Sequence, residues 1–418
     1  MQKSDRFLNQ TEIVLLCLFA IALPLVEAPK NIFWGAFLLV WLGRSAMLRN
    51  FGSLARSWDW LFAGLIVAPF VSVLNSAYAP QWKEMGDVAG YVSLGWILAR
   101  SRVDARQLNG LLLCLIGATL VGVVQGCWML AIDPRRVWLQ LNSVGHVNHS
   151  ALYGAGIGIL AATMAACGKA RLGLRLWGVS LAFALLMLGA MIAFSSRGAL
   201  VAYVVGVLPV VLLLSGVCFK RLLPVLLLAL VLGGAAQVLI SQLSQDKNNQ
   251  TLVQKTLDGL QRGNLSSFRV QAFHTAIEMV RRYPLSGVGA ANFSAVSPEE
   301  LEGWVRARGD DFQRDYYFFS SHAHGVYANT LGERGLLGIT ALGALLVGWS
   351  MALLRRRPQA DASTTVRLCW GAGLAGWSVV FIGGIFNTTL HHEHGMLAMV
   401  CLGLLLSGTP LRAKAVVA

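Results

Sequence analysis

The chain has 418 residues, of which 56% are hydrophobic and only 13% charged, and its mean hydropathy is +0.61. A soluble domain is typically about a quarter charged and cannot hide so much apolar surface, so a soluble globular fold is excluded. The net charge of +14 raises nucleic acid as a partner, and the placement of the charges argues against it.

Met1 to Gln10 is polar, and the apolar run Ile13–Val26 lacks a small-residue cleavage site before the next apolar block. It therefore reads as a first span that serves as its own insertion signal. A helix of about 20 apolar residues crosses the roughly 30 Å hydrocarbon core. On that criterion the predicted spans are 12–28, 31–48, 59–78, 86–100, 107–131, 150–168, 175–195, 198–218, 222–242, 326–354, 366–386 and 394–410. The runs lack the alternation of a barrel, so the fold class is all-α: a polytopic integral membrane protein of about twelve transmembrane helices. More than half of the 34 basic residues fall in or beside the short segments on the side of the termini, among them Arg100, Arg102, Arg106, Lys169, Arg171 and Arg355 to Arg357. By the positive-inside rule both termini are cytoplasmic, and the basic balance is topological.

The chain divides into spans 1–9 (1–242), one large outer loop (243–325) and spans 10–12 (326–418). The loop holds nine basic and nine acidic residues, a composition that folds rather than one that stays extended. "SSFRVQAFHTAIEMVRRYP" predicts a helix capped by Ser266 or Ser267 and stopped by Pro284, with Phe268, Ala272, Phe273, Ala276, Ile277 and Val280 on its apolar face. A Gly-rich turn, "PLSGVGAANF", follows, and "SPEELEGWVRARGDDFQRD" predicts a second helix. The residues His324 to Arg334 are expected to extend the next span outward as one helix. All seven cysteines lie inside or at the ends of spans and none in the loop, so no disulfide framework is expected.

Every histidine falls on the outer side: His146, His149, His274, His322, His324, His391, His392 and His394. Drawn from four parts of the chain, they point to a polar site at the outer mouth. No HExxH-type pair supports a metal, and no metal or other cofactor is expected. Two arginines stand out. Arg197, in "AFSSRGALVAY", sits in a tight connection between spans, where a guanidinium is expensive without a partner. Arg269 opens the loop helix, where its charge adds to the N-terminal dipole and attracts phosphate. A base with two phosphate clamps at headgroup level suits a lipid diphosphate whose tail stays in the bilayer.

"SSRG", "FRVQAFHTAIEMVRRYPLSGVGAANF" and "HAHGVYANTLGERGLLG" resemble, in that order, the signatures of the O-antigen ligase and polymerase superfamily of bacterial envelope enzymes. The resemblance implies a GT-C-like, metal-independent, inverting glycosyltransferase. It would sit in the bacterial inner membrane with its site and large loop facing the periplasm. Length and the single dominant loop are most similar to the lipopolysaccharide O-antigen ligases. Those enzymes transfer polysaccharide from undecaprenyl diphosphate to lipid A–core. By motif match His324 takes the place of the family's essential histidine, and Arg197 and Arg269 take those of its diphosphate-binding arginines. Members often have Asn after that histidine, where this chain has Gly325. His322, Glu393, His149 and Asn148 are further candidates for the mouth. The alternatives are an O-antigen polymerase, a protein O-oligosaccharyltransferase and, outside the superfamily, a secondary transporter.

Overall fold

A computed structural model of the protein describes residues 2–101, 103–133, 136, 138–193, 196–215, 252–261 and 268–407, with the single positions 231, 234, 235 and 238. The apolar runs fold into helices, because in hydrocarbon the backbone must satisfy itself internally. In chain order these are α1 (Gln2–Leu25), α2 (Glu27–Leu48), α3 (Arg56–Leu74), α4 (Trp82–Arg100), α5 (Ala105–Ile132), α6 (Val147–Ala166), the single turn α7 (Lys169–Leu172), α8 (Leu174–Ala193) and α9 (Arg197–Val210). The large loop carries α10 (Leu252–Gln261), α11 (Arg269–Arg282) and α12 (Pro298–Ala307). They are followed by α13 (Val326–Arg355), α14 (Thr364–Trp377) and α15 (His392–Ser407).

Among the described residues there is no strand, and nine helices are long and apolar enough to cross a membrane. This is a polytopic, all-helical membrane protein. Two other predicted spans are helical but depart from that criterion: the apolar part of α15 is shorter, and α4 opens with Lys83, Glu84 and Asp87. The span expected at 222–242 lies outside the described residues apart from those single positions, as do Cys218, Ser266 and Ser267.

The buried axis of the bundle is α6 with α14. Small residues let neighbouring backbones approach closely there, which drives helix association where lipid removes the hydrophobic force. A Cβ on Gly158 would stand 2.5 Å from Tyr203 and 2.8 Å from Met187, and one on Gly371 would stand 2.1 Å from Thr163. Buried charges are paired, as low dielectric requires. Lys30 of α2 bonds Glu393 of α15, and Arg44 bonds Glu12 at 2.6 Å.

The expected continuous helix from His324 onward is corrected twice. His324 lies in the preceding turn, with φ of 51°, and Gly325 is the N-cap. The helix α13 then breaks at Gly335, whose φ of 58° and ψ of −153° are open to glycine alone. The Gly-rich turn fills that break. Val288 N–H donates to the Gly332 carbonyl at 3.0 Å and Gly289 N–H to the Glu333 carbonyl at 3.1 Å, while Leu336 N–H donates to the Pro284 carbonyl at 2.8 Å. The Ser72 hydroxyl of α3 adds a bond to the Glu333 carbonyl at 2.6 Å. These bonds, with Leu337 N–H donating to the Leu285 carbonyl at 3.1 Å, stitch the loop into the bundle.

The loop helices rest on α13 through a second apolar cluster of Ala272, Ala276, Met279, Val288, Phe293, Leu301 and Val305. This corrects the predicted apolar face of α11. Its buried stripe is Ala272, Thr275, Ala276 and Met279, while Phe268, Val270 and Phe273 are exposed. The small stripe wins because α11 packs directly over Gly332 of α13, where a Cβ would come 2.9 Å from Met279 Sδ. The cap is also different: α11 starts after Phe268 in the left-handed region at φ 64°, held by flat stacking on Phe318 at 5.1 Å. Ser297 caps α12, accepting from Glu300 N–H at 3.1 Å.

Candidate functional site

Two helix N-termini meet at the turn after α14. Arg197 is the first residue of α9, and the next residue, Gly198, lies so close to Phe386 that a Cβ there would stand 2.5 Å from the Phe386 Cβ. Arg269 is the first residue of α11, and its Nε and Nη2 both donate to the Phe386 carbonyl, at 3.0 and 2.8 Å. Burial holds the Arg269 guanidinium below its ordinary pKa, and the positive charge of Arg197 lowers it further. Two half-buried guanidiniums thus stand within electrostatic reach of each other, each at the positive end of a helix dipole. Such a pair favours an anion, and planar guanidinium grips phosphate oxygens in a bidentate fashion.

The histidine turn closes the other side. The amide of Ala323 donates to Asn329 Oδ1 at 3.1 Å, which folds residues 320–325 back over the start of α13. The His324 ring meets His322 edge to face at 4.3 Å and Phe318 at 5.9 Å, with its Nε2 3.4 Å from Ser320 Oγ. Phe318 also carries Phe268, so one aromatic stack ties the histidine to the arginine helix. Burial pushes His324 down to about 4, assisted by the charges of His322, Arg269 and His146. In the unliganded protein this buried imidazole therefore stays neutral well below the ordinary histidine range. His322 is lowered for the same reasons, burial first and His146 second.

The structure thus brings Arg197, Arg269, His324 and His322 into one neighbourhood. His149 joins it through ring contacts with His146 at 5.9 Å and His394 at 4.9 Å. The Asn148 backbone N–H donates to His146 Nδ1 at 3.3 Å, so His146 caps α6. Glu393 is buried in its ion pair with Lys30 and accepts from Ser143 Oγ at 3.3 Å, so it locks α15 to α2. His274 stands apart on α11, with Nδ1 3.1 Å from the Tyr316 carbonyl.

Behind His322 opens a cavity of about 270 Å³ whose lining includes Glu84, His149, Asn329, Arg334, Thr388 and His391. Arg334 donates to Glu84 at 2.8 Å, and His391 Nε2 lies 3.7 Å from the other Glu84 oxygen. Burial pushes His391 down to about 4, with Arg334, His322 and Lys83 adding to the effect, so the imidazole beside Glu84 is neutral. Asn329 donates to Glu333 at 2.9 Å and fixes the wall. Sequence reading missed Glu84 and Arg334. The signal for Arg334 was available: an ionisable pair, Glu333-Arg334, interrupts an otherwise apolar run. Glu84 carried none.

Among the described residues no group of three or more His, Cys, Asp or Glu side chains is placed to hold a metal ion. Cys17, Cys114, Cys127, Cys167, Cys369 and Cys401 are free thiols.

Fold and site together describe a helical membrane protein with a cationic, histidine-rich mouth at one end of its bundle. Residues 182–343 match the family model described as O-antigen ligase, and this part of the chain is similar to the O-antigen ligase/polymerase superfamily of glycosyltransferase-like membrane enzymes. The matched stretch runs from α8 into α13 and contains Arg197, Arg269, His322, His324 and Arg334, whereas Glu84, His149, His391 and Glu393 lie outside it. No curated protein matches the chain.

Proposed function

We propose that this protein is a lipopolysaccharide O-antigen ligase of the bacterial inner membrane. It moves polysaccharide from undecaprenyl diphosphate to a sugar hydroxyl of lipid A–core on the periplasmic side, with His324, Arg197 and Arg269 doing the chemistry without a metal. The observation that carries this reading is the convergence at Phe386: Arg269 donates to its carbonyl, Gly198 next to Arg197 packs against its ring, and the Phe268–Phe318 stack joins the Arg269 helix to His324.

The diphosphate of the donor lies across Arg197 and Arg269 while its tail stays in lipid. The acceptor oxygen attacks the anomeric carbon from the face opposite the phosphate, and its proton passes to His324. As the new C–O bond forms, the bond from the anomeric carbon to the phosphate oxygen breaks, and its electron pair leaves with undecaprenyl diphosphate. Configuration inverts. The guanidiniums stabilise the charge where it grows, in a half-buried setting where fixed charges act strongly. The donor also prepares the base: its negative charge offsets that of Arg269, one of the charges that depress His324, and raises the basicity of the imidazole.

Reconstituted protein given purified undecaprenyl-diphosphate glycan, with lipid A–core and a protein acceptor in separate reactions containing chelator, is expected to glycosylate lipid A–core alone. Extension of the donor's own glycan indicates the polymerase alternative, and modification of the protein indicates the oligosaccharyltransferase. Loss of all transfer on adding chelator contradicts the metal-free mechanism.

A further inference from the structure

The cavity behind His322 differs in chemistry from the arginine pair. Neither Arg197 nor Arg269 lines it, and its one guanidinium, Arg334, is matched by the carboxylates of Glu84 and Glu333, leaving no excess positive charge for a diphosphate. Its remaining groups alternate between donor and acceptor: the Arg334 guanidinium on Glu84, the Asn329 amide, the Thr388 hydroxyl and the His391 imidazole. This mixture matches an uncharged ligand with several hydroxyls, each able to donate and accept. At about 270 Å³ the space falls just below the roughly 300–1,000 Å³ of pockets for drug-sized ligands, so it is the size for one ring rather than a chain.

Position adds direction. His322 belongs to the cavity wall, and its ring packs at 4.3 Å against that of His324, which answers electrostatically to Arg269. A ring held in the cavity therefore lies against His322, with the proposed base packed directly behind it and the proposed diphosphate site beyond. We infer that this cavity is the acceptor subsite: it holds one neutral, hydroxyl-bearing sugar residue of the acceptor, gripped by Glu84, Arg334, Asn329, Thr388 and His391. The assignment rests on the transferase reading above. It extends the site to α4 and to the turn before α15, beyond the family-matched stretch.

The test uses the full-length protein in detergent, with lipid A–core as the acceptor probe and undecaprenyl-diphosphate glycan as the donor. His391→Gln keeps a neutral polar side chain, and Thr388→Ala removes one hydroxyl while keeping the carbonyl that His394 contacts. Both variants are expected to melt within a few degrees of wild type and to bind donor within about twofold. Acceptor KM, or acceptor affinity measured without donor, is expected to rise about tenfold or more, as for loss of one or two hydrogen bonds of about 1.4 kcal/mol each tenfold. Glu84→Gln is expected to act in the same direction and more strongly; should it fail to fold, the other two variants decide. Unchanged acceptor KM in folded variants, or donor affinity falling in step with acceptor affinity, overturns the assignment. If wild type binds lipid A–core and the variants do not, yet nothing is transferred, the cavity stands and the ligase reading falls.

Discussion

Two arginines on either side of the histidine turn show how surroundings set a role. Arg269 lies beside a second guanidinium, at a helix N-terminus, with its Nε and one Nη committed to the Phe386 carbonyl. Arg334, inside α13, is held by Glu84 at 2.8 Å in the cavity wall. The first arrangement sets two guanidiniums within electrostatic reach of each other, a pairing that suits phosphate oxygens. The second is balanced and offers paired donors and acceptors to a neutral sugar. On the proposed reading, the same side chain is a charge clamp in one place and a hydrogen-bonding jaw in the other.

The sharpest way to break this contrast is at the residue between the two regions. His324→Ala is expected to lower transfer by about 10²–10⁴-fold, the usual contribution of a general base, with donor binding retained. Single-turnover transfer and a donor-binding measurement check it together, and a full O-antigen ladder in cells carrying the variant removes the role. Next come Arg197→Lys and Arg269→Lys, which keep the charge but lose the planar fork. Each is expected to lower kcat by about tenfold or more, while acceptor KM stays near wild type. Arg334→Lys is expected to give the opposite split, with acceptor KM raised and donor affinity unchanged. Two arginines with identical profiles would erase the distinction.

Smaller effects sharpen the account. Gly335→Ala places a side chain in a glycine-only conformation, with its Cβ 2.6 Å from Gly287 N. Strain of about 1–3 kcal/mol from the backbone alone is expected to lower the melting temperature and loosen the turn that carries the site. The smallest effect concerns pH. His324 and its free-enzyme pKa of about 4 leave the imidazole neutral well below its ordinary 6.5. Because the base must be neutral, kcat/KM is expected to hold from pH 7 to about 5 and to fall only as pH approaches 4. An acid limb centred at 6.5 would contradict the burial and the neighbouring cations.

The elements were largely legible because apolar run length fixes helices in hydrocarbon, and Arg269 opens its helix as the sequence suggests. What the sequence hid depends on contacts between distant segments. Glu84 and Arg334 are 250 residues apart, and nothing near Glu84 announces its partner. The break at Gly335 is stable only because a turn some fifty residues earlier donates into it. The face of α11 was read correctly at Ala272 and Ala276 and misread at Phe268 and Phe273, which are more apolar than Thr275 yet exposed. Close approach to Gly332 selects for size rather than hydrophobicity.

The central claim is the meeting of one imidazole and two guanidiniums around a lipid diphosphate, and the most direct measurement is a cryo-electron-microscopy map of the protein with undecaprenyl diphosphate bound. The account predicts phosphate density bridging Arg197 and Arg269 with the His324 ring at its edge. Phosphate density inside the Glu84–Arg334 cavity, or on a face that neither arginine reaches, would contradict it.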